Sequence, residues 1–218
     1  MIFPGITASA RYDSRGLSVK YDNNEPFAEQ AYFTDQPFFE MFNFPVVAGT
    51  NNIKDKNTVL ITERTATKYF GKQDPLGKSL VFYSGETYAM PLTVVGVLKD
   101  VPANSTIQFD FISNFDNLLK GDGSRIAGDD WTWFLDAAFF KIPNTADARR
   151  LSKEFNKYIP VQNKARPDWK TTGFSLIDLK QNAGLRNLSN NSFRERPDDS
   201  AAYGPLNTGH TDLPLCLS

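Results

Sequence analysis

The chain has 218 residues, of which 40% are hydrophobic, 22% charged and 13% aromatic, enough to bury a sizeable core as one domain or two lobes and too apolar for a disordered chain. Lys and Arg number 24 against 25 Asp and Glu, a formal charge of -1, so no net positive field gathers a phosphate backbone and no nucleic-acid partner is expected. The longest apolar runs, such as Phe44-Pro45-Val46-Val47-Ala48, are a few residues long, far short of the roughly 20 that span a bilayer.

The first residues, Met1-Ile2-Phe3-Pro4-Gly5, carry neither the basic segment nor the apolar stretch of a secretion signal. Cys216 is the one cysteine and His210 the one histidine. A disulfide framework is therefore not expected, nor a metal site built on Cys and His, and no cofactor is expected.

Along the chain, Ile6, Ala8 and Ala10 alternate with polar residues, and Leu17, Val19 and Tyr21 do so again, which predicts a hairpin across an Asp13-Ser14-Arg15-Gly16 turn. Thr34 is a candidate cap for a short helix carrying Phe38, Phe39 and Phe42, ended before Pro45. A strand over 58–61 runs into a helix that starts after Thr62 and stops at Gly71. Asp74-Pro75-Leu76-Gly77-Lys78 then leads to strands over 79–83, 92–98 and 107–112, the last with Ile107, Phe109 and Phe111 on one face.

A surface loop is predicted over 120–130, and a strand over 131–142. Thr145 caps an amphipathic helix with Ala148, Leu151, Phe155 and Tyr158 on its apolar side and Pro160 closing it. A strand over 174–179 follows. From residue 189 onward the periodicity fails, and 189–218 read as an extended tail, part of it vector-encoded because the sole Cys and His lie there.

Catalytic chemistry finds little footing. Gly71-Lys72-Gln73-Asp74-Pro75-Leu76-Gly77-Lys78-Ser79 ends like a P-loop, but five residues separate the glycines where a P-loop has four, Pro75 removes an amide, and a strand follows where a helix is needed. Asp129, Asp130 and Asp136 stand beside Trp131 and Trp133, and Asp198-Asp199 lie in the tail; solvated charges account for all of them. There is no Gly-x-Ser-x-Gly elbow and no histidine before the tail to act as a base, so the chain is read as non-enzymatic. The eighteen Phe are mostly core by periodicity, but Phe38, Phe39, Phe42 and Phe44 crowd one segment beyond what a small helix face buries. They are candidates for contact with a second chain or lobe.

The order of the elements carries a resemblance. Phe38-Phe39-Glu40-Met41-Phe42-Asn43-Phe44-Pro45-Val46-Val47-Ala48-Gly49, then Val59-Leu60-Ile61-Thr62-Glu63, Tyr69-Phe70-Gly71, Asp74-Pro75-Leu76-Gly77-Lys78 and Val94-Val95-Gly96-Val97-Leu98 together resemble the periplasmic core domain of MacB-like, FtsX-family ABC transporter permeases. The resemblance spans about residues 5–180, and Asp100-Val101-Pro102-Ala103-Asn104-Ser105 is similar to the Bacteroidetes-type variant.

The resemblance implies an α+β fold of mixed sheets and a few short helices in two lobes. Lobe one would take about 1–60 and 130–188, and the inserted lobe about 61–129. It implies a non-enzymatic domain on the periplasmic side of an inner-membrane permease, coupling ATP hydrolysis by a separate cytoplasmic ATPase to cargo at the outer face. The partners implied are a second permease copy, that ATPase, and a periplasmic or outer-membrane protein. It makes Gly49, Gly71, Pro75, Gly77 and Gly96 scaffold residues that set backbone geometry. The alternative is a free-standing periplasmic ligand-binding or carrier protein with an aromatic groove.

Overall fold

The computed structural model describes residues 3–85, 88–105, 107–121, 131, 132, 134–179 and 212–217. Strand β1 (Ala8–Lys20) pairs antiparallel with β2 (Phe27–Thr34) from Tyr12↔Thr34 to Val19↔Phe27. The predicted turn at 13–16 is instead the middle of one long strand. Its polar residues are satisfied where they stand: Asp13 is 2% and Ser14 8% exposed, Ser14 Oγ donates to Asp136 Oδ2 at 2.5 Å, and Arg15 lies 3.7 Å from the Asp13 carboxylate. The apolar residues change parity across that centre, Ala10 and Tyr12 facing one core and Leu17 and Val19 the other, so the strand keeps its period of two while the face that carries its apolar residues switches.

After helix α1 (Phe38–Met41), the chain forms β3 (Val46–Gly49), β4 (Thr58–Thr62), helix α2 (Glu63–Phe70), β5 (Ser79–Ser84), β6 (Tyr88–Leu98), β7 (Phe111–Asn114) and helix α3 (Asp116–Gly121). The ladders close on themselves. β1 pairs β2, β2 pairs β7 in parallel, β7 pairs β4, β4 pairs β6 in parallel, β6 pairs β5, and β5 returns to β1 through Ser18↔Tyr83 and Lys20↔Val81. Strands from both expected lobes thus share one hydrogen-bonded ring.

Alternation divides the apolar residues between two cores. Leu17, Val19, Ala31, Phe33, Val59, Ile61, Leu80, Phe82, Leu92, Val94 and Phe111 form one cluster, the filling of the ring. Ala10, Tyr12, Tyr32, Leu60, Leu98 and Ile112 belong to a second cluster on the outer face with Phe38, Ile53, Val101, Ile107, Phe109 and Phe139. All five residues of β4 are buried because both its faces are covered. The predicted 107–112 strand shortens to β7 for the same reason: Ile107 and Phe109 pack outside the ring while Phe111 points into it.

Helix α2 adds Tyr69 and Phe70 to the interior, with Phe70 edge-on to Tyr21 at 4.6 Å. Its boundaries follow the sequence: Thr62 precedes it, Glu63 sits at its positive end, and Gly71 ends it at φ +60. The Thr62 hydroxyl does not cap its own helix; it meets Thr65 Oγ1 at 2.9 Å and donates to Asp110 Oδ1 at 3.2 Å.

Beyond the ring, β8 (Ala137–Lys141) pairs with the first half of β1. Helix α4 (Thr145–Phe155) buries Leu151 and Phe155, and its cap is Asn144, whose Oδ1 accepts from Ala146 N at 2.9 Å, one residue before the predicted Thr145. Pro160 does not end the helical run but stands in the first turn of α5 (Ile159–Ala165), where its missing N–H has no partner to lose. Strand β9 (Gly173–Asp178) pairs in parallel with β10 (Asp212–Leu217), a strand within the segment that lacks periodicity in the sequence. The composition is 22% helix and 39% strand, an α+β fold of mixed sheets with short helices.

Candidate functional site

The Phe38 to Phe44 segment begins where β2 ends. Thr34 is the last residue of β2, with its hydroxyl donating to Arg11 O at 2.7 Å, so it is not the predicted helix cap. Asp35 then accepts from the Arg11 backbone N at 2.9 Å, from Nε at 2.9 Å and from Nη2 at 2.6 Å. Gln36 ties the turn to the following loop, donating to Asn51 O and accepting from Ile53 N at 2.7 Å. Pinned at both sides, the chain makes only the four residues of α1 before Phe42 becomes extended.

Phe38 is fully buried. It stacks on Tyr12 at 5.5 Å and on Phe44 at 5.5 Å, and lies 4.9 Å from Phe42. Phe39, Phe42 and Phe44 are half-buried around it; Phe42 meets Phe139 edge-on at 5.0 Å and Phe44 meets Phe109 at 4.9 Å. The cluster therefore closes on itself rather than lining a groove. Tyr12 belongs to it as well: burial, with lesser contributions from Tyr32 and Asp136, pushes its phenol well above the usual tyrosine range, and the O–H donates to Gln108 O at 3.1 Å. Of the four predicted contact residues, Phe38 is interior and the other three form a half-exposed rim.

The exposed apolar residues of this region lie one step further along. Val46 is 41% and Val47 52% exposed on β3. β3 pairs with β6 on one side through Val46↔Leu98, Ala48↔Val97 and Gly49↔Gly96, and among the described residues no strand pairs its other edge. The sequence hid these two valines because an apolar pair after a proline looks like core; only the pairing shows that β3 is an edge.

The motif glycines hold that edge in place. Gly49 has φ +74, and a Cβ there would lie 2.2 Å from Val95 O; a Cβ on Gly96 would lie 1.9 Å from Thr50 O. Each strand can approach the other only because both residues lack a side chain. A register shift between Val59 and Leu60 of β4 places an extra β6 residue, Val95, at the same point. Val94 and Val97 consequently both face the ring interior while Val95 and Leu98 pack outside.

Asp74-Pro75-Leu76-Gly77-Lys78 is a double turn. Asp74 Oδ1 accepts from Leu76 N at 3.0 Å, Lys78 N donates to Pro75 O at 3.2 Å, and Gly77 takes φ +75 at the third position of a β-turn that requires it. Gly77 N donates to Val94 O at 2.9 Å, and Leu76 packs on the interior cluster. Gly71 and Gly77 have no atom within 4 Å of a hypothetical Cβ, so they serve through φ alone. Gly49, Pro75, Gly77 and Gly96 thus converge on β6.

Of the acids singled out in the sequence, Asp136 is the acceptor for Ser14 described above. Asp129, Asp130, Trp133, Asp198, Asp199 and His210 lie outside the described residues. Among the described residues no helix is long and apolar enough to cross a membrane.

Comparison with known proteins follows the same lines. Residues 1–158 match the family described as MacB-like periplasmic core domain. No curated protein matches the chain. Among solved structures, a domain assigned to a permease from Porphyromonas gingivalis is 21% identical with a TM-score of 0.53, covering 74% of this chain and 65% of that one. The periplasmic region of MacB from Actinobacillus actinomycetemcomitans is 16% identical with a TM-score of 0.53, over 71% of this chain and 68% of that one. The extracellular domain of the noncanonic ABC-type transporter YknZ from Gram-positive bacteria is 17% identical with a TM-score of 0.52, over 75% and 78%. At these identities the structures share a fold, and the chain spans less than two thirds of the Porphyromonas domain.

Proposed function

The chain belongs to the MacB-like periplasmic core domain family, and from that premise we propose that it is the extracytoplasmic part of an inner-membrane ABC transporter permease. It acts as a mechanical and recognition element. A separate cytoplasmic ATPase hydrolyses ATP, the membrane segments of the permease carry the resulting movement across the bilayer, and this domain applies it to cargo at the outer face or to a periplasmic or outer-membrane partner. The observation that carries the reading is the match over residues 1–158.

A mechanical role asks for a rigid body, and the closed ring of ladders with its apolar filling supplies one. It also asks for a surface at which two bodies meet. We assign that surface to the rim of Phe39, Phe42 and Phe44 together with Val46 and Val47, where a second permease copy would pack; Phe38 supports it from within.

Two experiments test the reading. The native reading frame is expected to carry an apolar run of about 20 residues on the N-terminal side of this domain and further such runs on the C-terminal side. A frame with only a cleavable leader upstream and no such run downstream would overturn it in favour of a free-standing carrier. In the full-length permease, Phe39→Ser with Val47→Glu is expected to weaken association of the two copies; undiminished association would reject the assigned surface.

A further inference from the structure

The formal charge of -1 conceals an uneven distribution. Residues 141–170 hold eight Lys and Arg against three Asp and Glu, whereas the rest of the chain holds sixteen against twenty-two. The three acids of that segment are already matched: Arg150 lies 3.1 Å from Asp147 and 2.6 Å from Glu154, and Arg166 lies 2.8 Å from Asp168. What remains of the segment's charge is all positive.

Helical spacing gathers much of it on one side. A 3₁₀ turn (Asn156–Tyr158) joins α4 to α5 with right-handed helical backbone at each junction. Arg149, Lys153 and Lys157 recur every four residues, on the side away from the buried Leu151 and Phe155, and Val161 and Lys164 carry steps of four and three into α5. All five are exposed, Val161 to 44%. Arg149, Lys153 and Lys164 have no carboxylate partner among the described residues, and Lys157 Nζ stands 5.1 Å from the ring centres of Phe3 and Tyr158. Cations on either side of an exposed aliphatic residue suit the boundary between lipid headgroups and acyl chains better than a purely polar partner. Trp131, stacked on Tyr158 at 5.4 Å, adds the aromatic pair common at that depth.

The path of the chain places this face. Phe3 meets Phe155 edge-on at 5.0 Å and Tyr158 at 6.5 Å, Pro4 O accepts from Arg150 Nη2 at 2.6 Å, and a Cβ on Gly5 would stand 2.9 Å from Asp147 Cβ. Residues 3–5 therefore run along α4 against its direction, and the chain ahead of Phe3 comes in beside Lys157. On the permease reading, a membrane segment arrives there.

We propose that the face formed by Arg149, Lys153, Lys157, Val161 and Lys164 rests on a bilayer surface of anionic phospholipid, with its cations on the phosphates and Val161 at the acyl boundary. The position of the bilayer rests on the permease reading. The affinity for the surface belongs to this chain and is measured without any membrane segment.

The test is flotation of the 218-residue chain with vesicles of equal parts phosphatidylcholine and phosphatidylglycerol at low ionic strength, beside vesicles of phosphatidylcholine alone. Binding is expected to the charged vesicles only, and high salt should abolish it. Each Lys or Arg near an anionic surface strengthens binding about fivefold, so Lys153→Gln with Lys164→Gln should weaken it about 25-fold. Lys54→Gln with Lys72→Gln makes the same change of net charge at exposed positions elsewhere and should leave binding unaltered. Val161→Ser should weaken binding without changing its salt dependence, which a purely electrostatic contact would not show. No binding to charged vesicles would overturn the proposal and leave the face to an acidic protein. Equal losses from the two lysine pairs would overturn it too, because total charge rather than this face would then be read. An unchanged affinity for Val161→Ser would overturn the apolar contact. The permease reading fails on a different observation, a reading frame without membrane segments, so the two are refuted separately.

Discussion

Gly49 and Gly96 face one another across β3 and β6, and neither has room for a methyl group: a Cβ on Gly49 would stand 3.0 Å from Gly96 Cα and 2.2 Å from Val95 O, and one on Gly96 would stand 1.9 Å from Thr50 O. Two glycines that lie 47 positions apart in the chain are thereby one structural feature. They bring the edge strand against the bulged part of β6.

Replacing either by alanine is expected to cost about 3 kcal/mol or more, the sum of overpacking against fixed backbone and, at Gly49, of a disallowed φ. The midpoint of chemical denaturation measures it. The double variant should cost clearly less than the sum of the single ones, because one separation of β3 from β6 relieves both clashes.

Gly77→Ala should behave differently. It has φ +75 but open space around it, so only the left-handed backbone is penalised, by about 1–2 kcal/mol. Asparagine, which tolerates that region better, should recover part of the loss in the same denaturation experiment.

These glycines show what the sequence could and could not disclose. The motif residues, the strand and helix over Thr58–Thr62 and Glu63–Phe70, and the amphipathic helix Thr145–Phe155 follow from punctuation and period, which are local. The closure of the ring is not local: it depends on β1 being long enough to hold β2 along one edge and both β8 and β5 along the other. No pattern in 8–20 distinguishes such a strand from a hairpin when its centre is Asp13-Ser14-Arg15-Gly16, because the strands that pair with that centre, and the Asp136 carboxylate that accepts from the Ser14 hydroxyl, come from elsewhere in the chain. The same holds for the phenylalanines. Their crowding was visible, but which of them Tyr12 and Phe139 would bury depended on strands far away in sequence.

Phe38→Ala should therefore be a core substitution, costing about 3–5 kcal/mol, whereas Val47→Ser, on the exposed edge of β3, should stay within about 0.5 kcal/mol. Thermal denaturation of the two variants side by side separates interior from rim. Comparable losses would contradict the assignment of Phe38 to the core and Val47 to the surface.

Acid sensitivity is expected at Asp116. Its hydrogen bond and ion pair with Lys56 at 2.6 Å, and then Arg11 at 3.6 Å, hold its carboxyl below the ordinary aspartate value against the opposing effect of burial. A depressed folded-state value means stability that is present above the unfolded aspartate value, near pH 4, and lost as pH falls through the lower folded value. The melting temperature of Asp116→Asn should lie modestly below that of the parent near pH 6, the pair being half-exposed, and the two curves should converge as pH falls below about 3. A constant offset over that range would show that Asp116 contributes through packing rather than charge.

The central claim, that this domain moves with the ATPase cycle, is tested most directly by the distance between two copies of it in the full-length permease. A spin label at Lys54→Cys, an exposed site, in the transporter reconstituted in lipid nanodiscs with its ATPase, reads that distance. A distribution that shifts between the nucleotide-free and ATP-bound states is the predicted result. An unchanged distribution in a preparation that hydrolyses ATP would contradict it.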